Sequence, residues 1–536
     1  MFKFLLAGVS LVCLAGCTSF NQVAPPTIIN LATSTATTAT SSVAVLQFSA
    51  GKIQTLVPTK ENNKFLLTQW LVKDLSSVDD LPYAETPQVF FVDNFLAGKP
   101  DQYSPFGFLN VNNIIPDILG RELNNSYQRQ LLELGVRQVE GGGRLSPIWG
   151  EIQKTTTSAY NWRAFDQLVA TYQQQNLYYV PWIVSANAAD YRSCQREVIK
   201  AGSLPPLVLP CNLNNYKKFV SALVERYDKD GQADAPNLRW GQRDWVIGNE
   251  PDLAKFWQDS PANFAKLVFA AYQAIKAADP TARVHVGANA GFISSLLPAK
   301  EVMPPEFKDE IDTRQAGQAG WWWEFFAELK KQSATPLDLW FDQHFFGKAG
   351  EYEKLGILVS AWKNILQAQG YPEAKLWSTE MGTFAGEVQF LSNQTEGGQT
   401  IWQSEKQQAD ELVKRYVFGL SVGLQKIFWS CLRSDQTQPG MFNKMGLVNQ
   451  TGDKTLAFGA LMQLTDFLNG GQLKVERLLS GQANHYVFLV QRGLDKLYIF
   501  WQEVSPAESF GQNKAIACDF NNDQIIDEIE KAKCLK

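Results

Sequence analysis

From about residue 90 to 465 the chain alternates short apolar runs with longer stretches whose apolar residues recur every three or four positions. The runs are FGFLNV (106–111), VRQVEG (136–141), LYYVPWIV (177–184), RDWVIGNE (243–250), RVHVGA (283–288), DLWFDQHFF (338–346), KLWSTEMG (375–382) and KIFWSCL (426–432). YKKFVSALVERY (216–227) and NFAKLVFAAYQAIKAA (263–278), which lie between them, have helical spacing. Eight strand–helix units over this length predict an α/β fold, a (β/α)8 TIM barrel spanning 91–468. A doubly wound open sheet is the competing arrangement, but no glycine-rich phosphate loop follows the first run. After the helical stretch TLAFGALMQLTDFL (455–468) the pattern changes to LKVERLLSG, HYVFLVQRG and KLYIFWQEV, short strands divided by turn residues. These, over 469–515, are expected to join strands from 43–90 in an accessory β-domain.

The ends of the chain follow other rules. MFKFLLAGVSLVCLAGC has one positive charge, a short apolar run and small residues before Cys17, the form of a signal segment over 1–17. Its ending resembles the bacterial lipobox, which implies lipidation of Cys17 and a membrane-anchored lipoprotein of the cell envelope, at the outer membrane or cell surface. Residues 18–42 are rich in Thr and Ser, contain no charge, and read as a tether. A formal net charge of −5 with no basic block argues against nucleic acid as a partner. Composition does not address oligomeric state.

Export permits disulfides. With Cys13 lost with the signal and Cys17 lipidated, spacing suggests the pairs Cys194–Cys211 and Cys518–Cys534, with Cys431 a buried thiol. Connectivity is not fixed by spacing alone.

The chemistry concentrates at two strand ends. In a (β/α)8 barrel, groups at the C-terminal ends of strands face the active site. Glu250 closes the fourth run in a polar turn, and Glu380 closes the seventh. Two carboxyls facing each other across a barrel mouth suit glycosidic cleavage: one protonates the leaving oxygen, the other attacks the anomeric carbon. A separation of about 5–5.5 Å is expected for that role. The alternative is that both glutamates merely cap helices.

The NEP of the fourth strand and the TE of the seventh resemble the clan A retaining glycoside hydrolases, which are (β/α)8 barrels. The likeness extends through FGFLNV, LLELGVR, FVSALVERY, the His344 strand, WSTEMG and GLVNQTGDKTLAFGAL. The resemblance implies Glu250 as acid/base and Glu380 as nucleophile. It implies Asn249 as a donor to the neighbouring sugar hydroxyl, His344 as a shaper of the nucleophile's side, and Trp429 as the platform under the sugar at the cleavage point. No cofactor is implied for catalysis, and the partner is a carbohydrate, with a β-linked oligo- or polysaccharide expected. Two positions depart from the pattern. Where many members end strand two in arginine, this chain has Glu140, with Arg144 four residues on as a substitute. Where many carry a tyrosine two residues beyond the strand-six histidine, it has Phe346. Loss of both donors is expected to raise the nucleophile's pKa. Among the aromatics of WWWEFF (321–326), Trp322 is the candidate sugar contact, with Phe256 and Trp257 of similar standing. The loops 185–215 and 383–405 are expected to shape the pocket.

The tail CDFNNDQIIDEIEKAKC carries a different pattern. Asp519, Asn521, Asp523, Ile525 through its carbonyl, Asp527 and Glu530 fall at the ligand positions of an EF-hand-like loop, a structural Ca2+ site. Gln524 stands where glycine normally makes the turn. His285, His344 and His485 do not form a metal cluster, and His285 reads as a core residue. Two other classes remain open: a catalytically poor carbohydrate-binding surface lipoprotein, and an interaction lipoprotein whose calcium loop docks a partner.

Overall fold

A computed structural model describes residues 43–503, apart from 93–94, 96, 102, 110–124, 143–144, 197–206, 299–318, 390–399 and 434–439. The lipidation site at Cys17, the tether, Arg144, the pair Cys518–Cys534 and the whole calcium-type loop lie outside the described residues.

Eight parallel strands form the centre: β1 (Phe106–Leu109), β2 (Gln138–Gly141), β3 (Tyr178–Ile183), β4 (Asp244–Ile247), β5 (Arg283–Val286), β6 (Leu339–Asp342), β7 (Lys375–Gly382) and β8 (Leu424–Trp429). Each pairs with the next, and β8 returns to β1 with Phe428 beside Gly107 and Trp429 beside Phe108. The ring therefore closes, which excludes the open sheet. A helix follows each strand: α1 (Asn125–Glu133), α2 (Arg163–Gln174), α3 (Leu213–Tyr227), α4 (Pro261–Ala278), α5 (Trp321–Gln332), α6 (Lys354–Gln369), α7 (Glu405–Val422) and α8 (Leu456–Leu468).

Strand residues point alternately into the ring and out to the helices. Leu109, Val180, Trp182, Val246, Trp377 and Phe428 fill the interior, with Trp340 packed against them. α4 shows how an outer helix is set. Ser260 caps it by accepting the Asn263 N–H, Pro261 occupies the first turn, and Phe264, Leu267, Val268, Ala271 and Ile275 form the buried stripe. Its apolar spacing is the one seen in the sequence.

The accessory domain is one six-stranded antiparallel sheet. Its order is Leu473–Leu478, His485–Arg492, Asp495–Gln502, Gln88–Phe91, Gly51–Thr55 and Gln69–Val72, so strands from both ends of the chain share it. Its inner layer includes Ile53, Phe90, Val487, Tyr498 and Phe500. A buried amide pair, Gln54 Nε2 to Gln463 Oε1 at 2.9 Å, ties it to α8. Glu503 receives both Tyr352 Oη at 2.8 Å and Lys414 Nζ at 2.7 Å, tying it to α6's approach and to α7. The disulfide Cys194–Cys211 is present, and Cys431 is a buried free thiol. No helix among the described residues is long and apolar enough to cross a membrane.

Candidate active site

β4 ends at Ile247, and the next four residues turn sharply. Gly248 has φ +76° and Glu250 φ +37°, the second a conformation that L side chains rarely adopt. A Cβ at Gly248 would stand 3.0 Å from the ring of Phe264. The turn holds Glu250 over the mouth with its side chain largely enclosed. Asn249 is buried, and among the described residues its side-chain amide makes no hydrogen bond.

Glu380 is on β7, likewise mostly buried. One oxygen each of Glu250 and Glu380 and one nitrogen of His344 lie within 4.8 Å of one another. The nearest oxygens of the two carboxyls are therefore no more than 4.8 Å apart, which suits the short separation of double displacement.

His344 sits wholly buried between the two. Its Nδ1 donates to Glu250 Oε1 at 2.8 Å and is 3.8 Å from Glu380 Oε2. Its Nε2 donates to Thr379 Oγ1 at 3.1 Å. The Thr379 hydroxyl donates in turn to Asp342, whose other oxygen accepts the Thr379 N–H at 2.8 Å. With acceptors at both nitrogens, the ring is placed as an imidazolium. Burial opposes that charge, but Glu380, Asp342 and Glu250 outweigh it and hold His344 well above the usual imidazole range.

The nucleophile position differs. No hydrogen bond reaches the Glu380 carboxylate from any described residue, since His344 bonds Glu250 and Phe346 has no hydroxyl. Burial, with Glu250 and Asp342 adding to it against His344, pushes Glu380 up to about 8. This is the rise expected from the two missing donors.

Glu140 lies below the pair. It shares a layer with Leu109 and Val180, its register partners on β1 and β3, both of which face the interior. Trp182 Nε1 donates to its Oε1, and its Oε2 has no partner. Burial and the nearby Asp342 raise its pKa well above the carboxylate range, so it is a neutral acid. It does not stand in for an arginine as a charge.

Two aromatic expectations are corrected. Trp429 does not form a platform at the mouth: Phe428 points into the ring, so alternation turns Trp429 outward, where it stacks on Tyr416 of α7 and donates to Met445 O at 3.0 Å. Trp322 does not line a cleft either. It is wholly enclosed against Trp321, Phe325 and Trp362, with its indole N–H toward Asp252. Trp257 is also core, packed on Phe264, while Phe256 stays half-buried. His285 is a core residue as expected, bonded to Asp244 at 2.9 Å between the rings of Trp340 and Trp377.

Three residues of the site went unread in the sequence. Asp342 and Thr379 orient His344. Asp252 braces the turn after Glu250 by accepting from Asn289 Nδ2, Ser295 Oγ and the Ala290 N–H. The available signal for Asp342 was its position two residues before His344 on the same strand.

No family model matches the chain, and no curated protein matches it. Among solved structures, it is similar to a family 39 glycoside hydrolase from Bacteroides cellulosilyticus WH2, with TM-score 0.49, 14% identity and 86% of each chain covered. It is also similar to a GH39 beta-xylosidase from Caulobacter crescentus, with TM-score 0.45, 17% identity, and 74% of this chain and 79% of that one covered. A third is a family 51 alpha-L-arabinofuranosidase from Bifidobacterium longum, with TM-score 0.43, 12% identity, and 74% and 83% covered.

Proposed function

We propose that the chain is a retaining glycoside hydrolase that cleaves a β-linked oligo- or polysaccharide by double displacement. The observation that carries this reading is the carboxyl pair, Glu250 and Glu380, within 4.8 Å at the ends of β4 and β7. The Glu380 carboxylate attacks the anomeric carbon while Glu250 gives its proton to the departing oxygen. A water molecule then attacks the glycosyl–enzyme, Glu250 takes its proton, and Glu380 leaves as carboxylate. The buried, unbonded amide of Asn249 takes a sugar hydroxyl. Glu380 holds a proton before the reaction, and His344, which bonds Glu250 and lies beside Glu380, is the route by which that proton reaches Glu250.

The test is intact-protein mass after exposure to activated 2-deoxy-2-fluoro glycosides. An adduct on Glu380, absent in Glu380→Gln, is the expected result. Glycan binding with neither adduct nor turnover would overturn it in favour of a second reading, a carbohydrate-binding lipoprotein of poor activity. The bare Glu380 carboxyl and the outward Trp429 favour that second reading.

The remaining parts of the proposal concern location and ions. Acylation of Cys17 anchors the protein to the cell envelope, and a Cys17→Ser variant is expected to lose the membrane fraction. The tail loop, Asp519 to Glu530, binds structural Ca2+, with Cys518–Cys534 closing it.

A further inference from the structure

Between α3 and β4 the chain reads Asp228-Lys229-Asp230-Gly231-Gln232-Ala233-Asp234. One carboxylate oxygen from each of the three aspartates lies within 4.8 Å of the others. Asp228 is 2% exposed. Its Oδ1 accepts the Asp230 N–H at 3.2 Å, and its Oδ2 receives no hydrogen bond. Asp234 is half-buried; its Oδ2 accepts the Gly231 N–H at 2.9 Å, while its enclosed Oδ1 has no partner. Asp230 is exposed, and its carboxylate accepts from Gln232 alone among the described residues. No lysine or arginine among the described residues forms an ion pair with any of the three, and Lys229 turns away to the Arg239 carbonyl. An enclosed carboxylate oxygen with no partner, Asp234 Oδ1, beside two more carboxylates and no cation, is expensive unless a cation completes it.

We propose that this loop binds a calcium ion through Asp228, Asp230 and Asp234. Oxygens on opposite sides of calcium stand about 4.6–5.2 Å apart, twice its roughly 2.3–2.6 Å ligand distance, so three oxygens no more than 4.8 Å apart are close enough to share one ion. Magnesium needs a tighter span of about 4.0–4.2 Å and a near-ideal octahedron. An all-oxygen set also suits a hard cation and disfavours zinc or copper. Backbone carbonyls and water complete the shell. The loop leads into the start of β4, through Gln242, whose N–H donates to Tyr227 O at 2.7 Å. It therefore lies at the opposite end of that strand from Glu250. Bound calcium pins the strand's entrance and stabilises the barrel without touching the chemistry.

The test is calorimetric titration of CaCl2 into the chelator-treated full chain carrying Asp523→Asn and Asp527→Asn, which disable the tail loop. One equivalent of calcium is expected to bind, and adding Asp234→Asn should abolish it. At a hundredfold excess over Kd, calcium should raise the melting temperature by about 3 °C in the first protein and not in the second. Asp230→Asn, at an exposed position that cannot compromise folding, should repeat the loss. No calcium uptake before Asp234→Asn, undiminished uptake after it, or equal binding of MgCl2 would each overturn the assignment.

Discussion

Glu250→Gln tests the electrostatics of the carboxyl pair most directly. The variant keeps an oxygen for the His344 N–H but removes the negative charge facing Glu380. Two unit charges 4.8 Å apart interact by about 3.5 kcal/mol at an effective dielectric constant near 20, equivalent to about 2.5 pKa units. In the unmodified protein Glu380 holds its proton up to about 8, so kcat/KM should fall on the alkaline side with an apparent pKa of about 8. In Glu250→Gln the general acid is gone, and a glycoside with an activated leaving group must be used to bypass it. Activity should then require only ionised Glu380, whose pKa falls to roughly 5.5. The alkaline limb should disappear and an acid limb near that value should replace it. A variant that retains a limb near 8, or shifts by less than about half a unit, would refute this account.

Other perturbations have calculable directions. Phe346 pairs with Gly382, which lies on the same strand face as Glu380; Phe346→Tyr offers that carboxylate a donor, and a charge-assisted bond of about 1.5–3 kcal/mol should lower the alkaline limb by about 1–2 units in a pH–rate profile. Glu140 has a folded-state pKa raised well above its unfolded value. Its contribution is therefore fully present below the unfolded value and is lost as pH rises toward the folded one, by up to about 1.4 kcal/mol per pH unit. Glu140→Gln should flatten that decline in melting temperature against pH; parallel curves would refute it. Replacing Cys194 and Cys211 by serine releases a loop with sequence separation 17 and should cost about 3 kcal/mol, read as a lower midpoint in denaturant unfolding. Gly248→Ala puts a Cβ against Phe264 at φ +76° and should destabilise by about 1–2 kcal/mol while reducing kcat more than it changes KM, since it moves Glu250.

Some of this structure is legible in the chain and some is not. The eight strands are, because a strand covered on both sides must be apolar throughout, and eight such runs separated by helical periods leave few architectures. That pattern does not show which way each residue faces. In KIFWSCL the polar residues Lys426 and Ser430 sit on the Phe428 face, which would turn Phe428 toward solvent in an ordinary amphipathic strand; the register with β1 and β7 instead turns Phe428 inward and Trp429 outward. WWWEFF fails for a related reason: the α5–α6 interface takes up Trp322, and its single polar atom is met by Asp252. Glu250 and Glu380 are legible as carboxylates that end apolar runs. Asp342 and Thr379 each stand among other polar residues, Gln343 and His344 in one run and Ser378 and Glu380 in the other, and their role exists only once β6 and β7 are side by side.

The charge inventory ties these observations together. Glu140, Glu250, Asp342 and Glu380 meet one imidazole, and an arginine at position 140 would have supplied a second cation. Without it, four ionised carboxyls around one imidazolium would leave a surplus of three negative charges in a buried space, which burial alone forbids. The chain resolves this with protons: Glu140 is neutral, Asp342 is spent on Thr379, and Glu380 holds a proton up to about 8. The same count shows why His344 cannot be exchanged lightly. In His344→Gln the amide can still bond Glu250 or Thr379 but carries no charge, so the Glu380 proton should be held more tightly and turnover should fall at every pH, even with an activated leaving group. Undiminished turnover in that variant would mean that Glu380 is kept reactive by something other than this histidine.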